Sequence, residues 1–129
     1  MADKPDVKAE SRQESKLADS LDLGRLEADA AMREFQAAIA LNPENANAHF
    51  NLAVMLGPRN QLDEAIAHLR RVVEINPLHA DAYHNLSVAY GLQRRLDDAI
   101  AAAQAAVRLK PDSAVAQQQL QQLLAARNR

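Results

Sequence analysis

One eleven-residue phrase recurs along this chain at a fixed interval of 34 residues. It begins at Asn42 as NPENANAHFNL, at Asn76 as NPLHADAYHNL and at Lys110 as KPDSAVAQQQL. A period between about 20 and 50 residues is typical of proteins built from stacked units, each of which covers the apolar face of its neighbour. The period therefore predicts a single domain of repeated units over residues 11–129.

Each complete repeat, 46–79 or 80–113, predicts two helices. In the first of them, apolar and small side chains fall on one helical face: His49, Leu52, Ala53 and Leu56. The Gly57-Pro58 pair ends that helix, because proline lacks an N–H and disfavours helix at the residue before it. A second amphipathic helix is predicted over about residues 63–75, before Pro77.

Two further segments extend the repeat pattern. Residues 11–45 form a degenerate copy, with LADSL and AMREFQAAIALNP in the places of LAVML and AIAHLRRVVEINP, and a turn is predicted around Gly24. Residues 114–127 predict one more helix, with an apolar stripe that covers the end of the stack. The stripe consists of Leu120, Leu123 and Leu124. Residues 1–10 are polar and charged, which predicts a disordered tail.

These positions resemble the tetratricopeptide repeat, a 34-residue helix–turn–helix with the pattern W-x₂-L-G-x₂-Y, A-x₃-F, P. The matching residues of the middle repeat are His49, Leu52, Ala53, Leu56, Ala65, Leu69 and Pro77, and those of the third are Tyr83, Leu86, Ser87, Tyr90, Ala99, Ala103 and Pro111. The tryptophan is absent, and Ala53 and Ser87 replace the glycine. The resemblance implies an all-α, right-handed superhelical solenoid of antiparallel helix pairs, with about seven helices. Small residues are expected where the two helices of a repeat cross.

The resemblance also implies a function, because first helices in this family line a concave groove that binds partner segments. The groove residues it implies here are Lys16, Asn47, Phe50, Asn51, Val54, Asp81, His84, Asn85, Val88, Gln118, Gln119 and Gln122, together with Arg12 and Asp19. Asn51 and Asn85 occupy equivalent places, and their amides could each donate and accept one hydrogen bond from an extended peptide. The alternatives are that these asparagines only solvate their helices and that Phe50 only packs.

Some family members bind the carboxylate terminus of heat-shock chaperones through basic groove residues. This chain has Asp81 where such a clamp needs a basic residue, so that partner is not expected. The interpretation is a protein–protein interaction module or scaffold that holds an extended segment of an unidentified protein. Two alternatives remain open: self-association through the convex face or the ends of the stack, and a role as the non-catalytic recognition subunit of an enzyme complex.

Composition excludes several other classes of protein. The chain has no cysteine and a net charge of −2, so it lacks thiolate metal ligands and the basic surface of a nucleic-acid binder. No catalytic motif is present, and no cofactor or metal is expected. His79 and His84 flank a predicted helix start, but two histidines are only weak evidence for a zinc site. The absence of a membrane-length apolar run and of an N-terminal apolar segment predicts a cytoplasmic protein.

Overall fold

The computed structural model describes the backbone of residues 7–129 and the side chains of residues 23–129. Within residues 7–129 the regular elements are six α-helices and a short 3₁₀ turn, with no strand. They are α1 (Val7–Leu41), α2 (Ala46–Leu56), the 3₁₀ turn (Gly57–Arg59), α3 (Leu62–Ile75), α4 (Ala80–Leu92), α5 (Leu96–Leu109) and α6 (Ala114–Arg127). The prediction of an all-α fold is confirmed. None of the helices within the described residues is both long and apolar enough to cross a membrane.

The chain divides into two compact units, one ending at Glu34 and the other beginning at Phe35. The described part of the first unit is a single stretch of α1. The second unit contains the last two turns of α1 and helices α2 to α6, and it holds the buried apolar core.

The predicted turn around Gly24 is wrong, because α1 runs through that position as one helix of 35 residues. A single glycine weakens a helix by about 1 kcal/mol but does not stop it, and no proline lies between Val7 and Leu41. The first predicted helix pair is therefore one helix, and residues 7–129 contain six helices, close to the predicted number of about seven. Residues 1–6 of the predicted tail lie outside the described residues, and α1 already begins at Val7.

Small side chains lie at the centre of each complete hairpin, as the resemblance implied. Ala53 on α2 and Ala65 on α3 are buried, and Ser87 and Ala99 take the equivalent places on α4 and α5 with no exposed surface. The buried hydroxyl of Ser87 donates to the carbonyl of His84 at 2.6 Å, so burial leaves no unsatisfied group there. Larger residues at these positions would force the helix pairs apart.

The recurring phrase places a helix N-cap at the same position three times. The Asn45 side chain accepts from the backbone N–H of Ala48, the His79 ring from Ala82 and the Ser113 hydroxyl from Ala116, at distances of 3.0, 3.1 and 3.2 Å. Each cap satisfies one of the N–H groups that a helix start leaves without an intrahelical partner. The caps therefore determine where α2, α4 and α6 begin.

Helix α6 lies against the last complete hairpin, over the residues for which a capping helix is predicted. It packs against α5 and α4, Leu123 is buried and Leu120 and Leu124 are half-buried. A Cβ atom at Gly91 would lie 3.4 Å from the side chain of Leu123, so α4 and α6 are in direct contact at this position. The polar side of α6 carries exposed glutamines, including Gln118 and Gln122.

Candidate functional groove

Two helices of the second unit present matching faces. On α2, Asn47, Asn51 and Val54 are exposed and follow one another at helical spacing. On α4, the residues 34 positions later are Asp81, Asn85 and Val88, of which Asn85 is half-buried. The repeat therefore places an amide followed by a valine, one turn later, at equivalent positions on two successive first helices.

An apolar groove of about 370 Å³ lies between these two helices, with α3 as its floor. Its lining residues are Ala53, Val54, Gly57, Pro58, Leu62, Ala65, Leu69, Asn85, Val88, Ala89 and Leu92. Three of the apolar side chains are substantially exposed: Val54 at 49%, Val88 at 37% and Leu92 at 67%. None of the lining residues is ionisable, and Asn85 supplies the one side-chain amide. This groove is suited to an uncharged, aliphatic group.

A second cleft, of about 280 Å³, lies between α4 and α6. It is more polar, and its lining residues are Ala80, Asp81, His84, Ala106, Lys110, Ser113, Val115 and Ala116. The ammonium group of Lys110 lies 3.3 Å from a carboxylate oxygen of Asp81. Asp81 is therefore paired with a basic residue from the turn before α6, which the sequence did not indicate.

The remaining predicted groove residues do not line either cleft. Phe50 is half-buried, and its ring lies 4.8 Å from the ring of His79, centroid to centroid. Gln119 is half-buried on α6, whereas Gln118 and Gln122 are exposed there. The side chains of Arg12, Lys16 and Asp19 lie outside the described residues. The predicted set is thus divided among the apolar groove, the polar cleft and other surfaces.

Each of the four histidines has a defined contact or position in the structure. His79 is the N-cap of α4, His84 lines the polar cleft, and His49 and His68 contact each other. Among residues 23–129, no three metal-ligating side chains lie close enough together to hold an ion.

Sequence reasoning missed Pro58 and Leu92, which extend the two faces by one turn. The signal was present, because Pro58 follows Val54, and Leu92 follows Val88, at the next helical interval. Leu62 was also missed, since it lies at the start of a second helix and was not assigned to the groove. Its burial is intermediate, and it contributes to the groove wall from α3.

Comparison with known protein families supports the fold. Two family models, each described as tetratricopeptide repeat, match residues 59–114 and 34–67. Together they span residues 34–114, which include both complete hairpins. The chain belongs to the tetratricopeptide repeat family. A comparison with curated proteins found no match.

Solved structures of tetratricopeptide repeat proteins share this architecture. The first such domain of Spaghetti (RPAP3), bound to the HSP90 peptide SRMEEVD, is 18% identical with a TM-score of 0.77, covering 83% of this chain and 85% of that one. YrrB, described as having an unusual peptide-binding site, is 31% identical with a TM-score of 0.66, and the match covers 74% of this chain and 50% of YrrB. MamA from Desulfovibrio magneticus RS-1 is 28% identical with a TM-score of 0.73, and the match covers 84% of this chain and 60% of MamA. The chain thus spans half of YrrB and less than two thirds of that MamA.

Proposed function

We propose that this chain is a protein-interaction module that binds an extended segment of a partner protein between α2 and α4. The observation that carries the proposal is the apolar groove of about 370 Å³, bordered by equivalent residues of two repeats. Exposed apolar surface of this kind is typical of ligand-binding grooves. The peptide-binding site of YrrB, which is 31% identical to this chain over the aligned region, supports the same class of function.

The groove chemistry restricts the partner. With no ionisable group in its lining, the groove favours an aliphatic side chain, whose burial contributes roughly 1.5–3 kcal/mol. The amide of Asn85 at its edge can donate to one peptide group and accept from another, and exposed Asn51 can do the same on α2. A peptide with an aliphatic anchor and a free main chain on either side meets both requirements.

The polar cleft argues against an acidic carboxylate as the main anchor. Lys110 is its one lysine, and Asp81 lies 3.3 Å from that ammonium group. An incoming carboxylate would have to displace Asp81 and then lie beside it, with like charges close together. The Spaghetti domain binds an HSP90 peptide, but at 18% identity its similarity to this chain shows a common fold only, not a common ligand. The module acts by binding, without catalysis and without a cofactor.

Selection from a random peptide library displayed on phage tests this function. We expect enriched sequences with a shared aliphatic position, and we expect Val88→Glu to abolish their binding, because it places a charge in the groove. Ala101→Glu, on the exposed side of α5, is the matched control and should bind as the wild type does. Enrichment of acidic C-termini, or equal binding by both variants, would contradict the proposal.

Self-association is the principal alternative, and the same material tests it. Sedimentation of the wild type over a hundredfold range of concentration should give the mass of a monomer of 14.1 kDa. A concentration-dependent mass that Val88→Glu reverses would show that a second copy occupies the groove.

A further inference from the structure

Two histidines join the helices of the first complete hairpin. The Nδ1 atom of His49 on α2 lies 2.9 Å from the Nδ1 atom of His68 on α3. The other ring nitrogen of His49, Nε2, lies 2.8 Å from the carbonyl oxygen of Pro43, in the turn that precedes α2. His49 is buried and His68 is half-buried. The two rings therefore connect the turn, α2 and α3 through one chain of hydrogen bonds.

The geometry limits how many protons this pair can carry. A carbonyl oxygen only accepts, so Nε2 of His49 holds a hydrogen and donates to Pro43. In the neutral pair, Nδ1 of His49 is then the acceptor and Nδ1 of His68 the donor. One added proton keeps the bond, because a charged His49 can donate to a neutral His68. A second proton places hydrogens on both facing atoms and two positive rings in contact, so the bond is lost.

The surroundings oppose a charge on His68. Burial lowers its pKa from the ordinary value of 6.5, the neighbouring His49 lowers the pKa further, and Glu64, one turn earlier on α3, raises it by less. The other ionisable groups on α3 are Asp63, Arg70, Arg71 and Glu74, of which Arg71 pairs with Glu74 and with Glu44 of the turn. Those of the next repeat are His79 at the cap of α4 and, on α4, Asp81, which pairs with Lys110, together with Tyr83, His84 and Tyr90. The net direction for His68 is downward.

The next hairpin provides an internal comparison. The residues 34 positions after His49 and His68 are Tyr83 and Ala102. Ala102 is buried and Tyr83 is half-buried, so one large ring and one methyl group occupy the space of two imidazoles. This pair cannot take up a proton near neutral pH, since neither side chain has a basic nitrogen.

We propose that the His49–His68 pair is an acid-sensitive joint, which holds the α2–α3 hairpin together at neutral pH and releases it on acidification. In the unfolded chain His68 takes up its proton near pH 6.5. In the folded chain the pKa of His68 is lower, so between that lowered pKa and pH 6.5 the unfolded state binds more protons than the folded state. The stabilisation is complete above pH 6.5 and is lost as the pH falls from 6.5 towards the lowered pKa. Because Ala53 and Val54 of α2 line the apolar groove, the same release loosens one wall of it.

The stability test replaces His49 and His68 with the tyrosine and alanine that the next hairpin has at the equivalent positions, Tyr83 and Ala102. Urea unfolding of the wild type and of the double variant His49→Tyr, His68→Ala is measured at pH 7.5, 6.5 and 5.5, above the range where carboxylates titrate. We expect the unfolding equilibrium constant of the wild type to rise, relative to the variant, by up to about tenfold per pH unit below 6.5. The variant keeps His79 and His84, so the comparison isolates the contribution of His49 and His68. Equal pH dependence in both proteins would overturn the proposal.

A second measurement uses the wild type alone and does not depend on how the variant folds. In a nuclear magnetic resonance titration, we expect the ring signals of His68 to report protonation below pH 6.5. Backbone amide shifts between pH 7.5 and 5.5 should appear in α2, α3 and the turn at Pro43, and should be small in α5 around Ala102, a helix that contains no histidine. Titration of His68 at or above pH 6.5, or equal shifts in α3 and α5, would exclude the proposal.

Discussion

Asn60 and Arg94 lie 34 residues apart and share a left-handed backbone conformation, each with a φ of 60°. Each residue belongs to the turn between the two helices of a complete repeat. Two successive first helices therefore end in the same way, although one of them continues into a 3₁₀ turn that contains Pro58. Asparagine tolerates this conformation, whereas a longer side chain such as arginine adopts it at a cost.

We therefore expect Arg94→Asn to stabilise the protein by about 0.5–1 kcal/mol, and Asn60→Arg to destabilise it by a similar amount. Both side chains are exposed, so little packing changes with either substitution. Urea unfolding at pH 7.5 measures the two variants against the wild type. Effects of the same sign in the two variants would show that the left-handed conformation does not control stability at this turn.

The small residues at the helix crossings give a second prediction. Ala99 has no exposed surface, and we expect Ala99→Leu to destabilise the protein by roughly 1–3 kcal/mol, because the longer side chain overpacks the contact between α4 and α5. Ala101 lies on the exposed side of the same helix, so Ala101→Leu should change stability by less than about 0.5 kcal/mol. Thermal and urea unfolding of both variants distinguish packing from helix propensity. A similar cost in both would argue against a tight crossing.

Helix α6 gives a third prediction, because it covers the apolar face of α5 and buries Leu123. Removal of residues 114–129 should cause aggregation or a loss of cooperative melting, as is usual for a stack without its capping helix. Removal of residues 128–129, which lie beyond the end of α6, is the matched control. Light scattering and thermal melting follow both proteins. A monomeric truncated chain with an unchanged melting temperature would show that α6 does not act as a cap.

Asn85, which lines the groove, and Asn51, its exposed equivalent on α2, give a fourth prediction, which depends on the proposed function. We expect the double change Asn51→Ala, Asn85→Ala to weaken the binding of a selected peptide by roughly 1–3 kcal/mol, or about 5- to 150-fold, through the loss of hydrogen bonds to its main chain. Different peptide sequences should be weakened alike, because the main chain is common to all. Stability should change little, since Asn51 is exposed and Asn85 half-buried.

Isothermal titration of several selected peptides, with melting curves of both proteins, measures this effect. Gln104→Ala, on an exposed position of α5, is the control for a lost side-chain amide outside the groove. Equal affinities of wild type and double variant would leave the asparagines with a role in helix solvation alone. A large fall in melting temperature would instead make them structural.

The sequence alone was sufficient for the elements whose signals are local. The interval of 34 residues predicted the two complete hairpins, and Pro77 and Pro111 marked turns that the structure contains. The predicted capping helix matches α6 at both ends. Such signals act through backbone preferences of a few neighbouring residues, so they can be read without knowledge of the fold. The similarity of residues 11–45 to the complete repeats wrongly predicted a turn at Gly24. That segment copies the apolar pattern of the repeat but lacks a proline that would stop the helix.

Only the tertiary structure decided which side chains meet across the repeats. His49 bonds to His68, Phe50 lies against His79, and Lys110 pairs with Asp81, although the partners in these pairs are 19 to 29 residues apart. No helical periodicity relates positions on different helices; their contacts depend on how one hairpin stacks against the next. The apolar groove arises in the same way, because Val54 and Val88 line a common space only when α2 and α4 lie over α3.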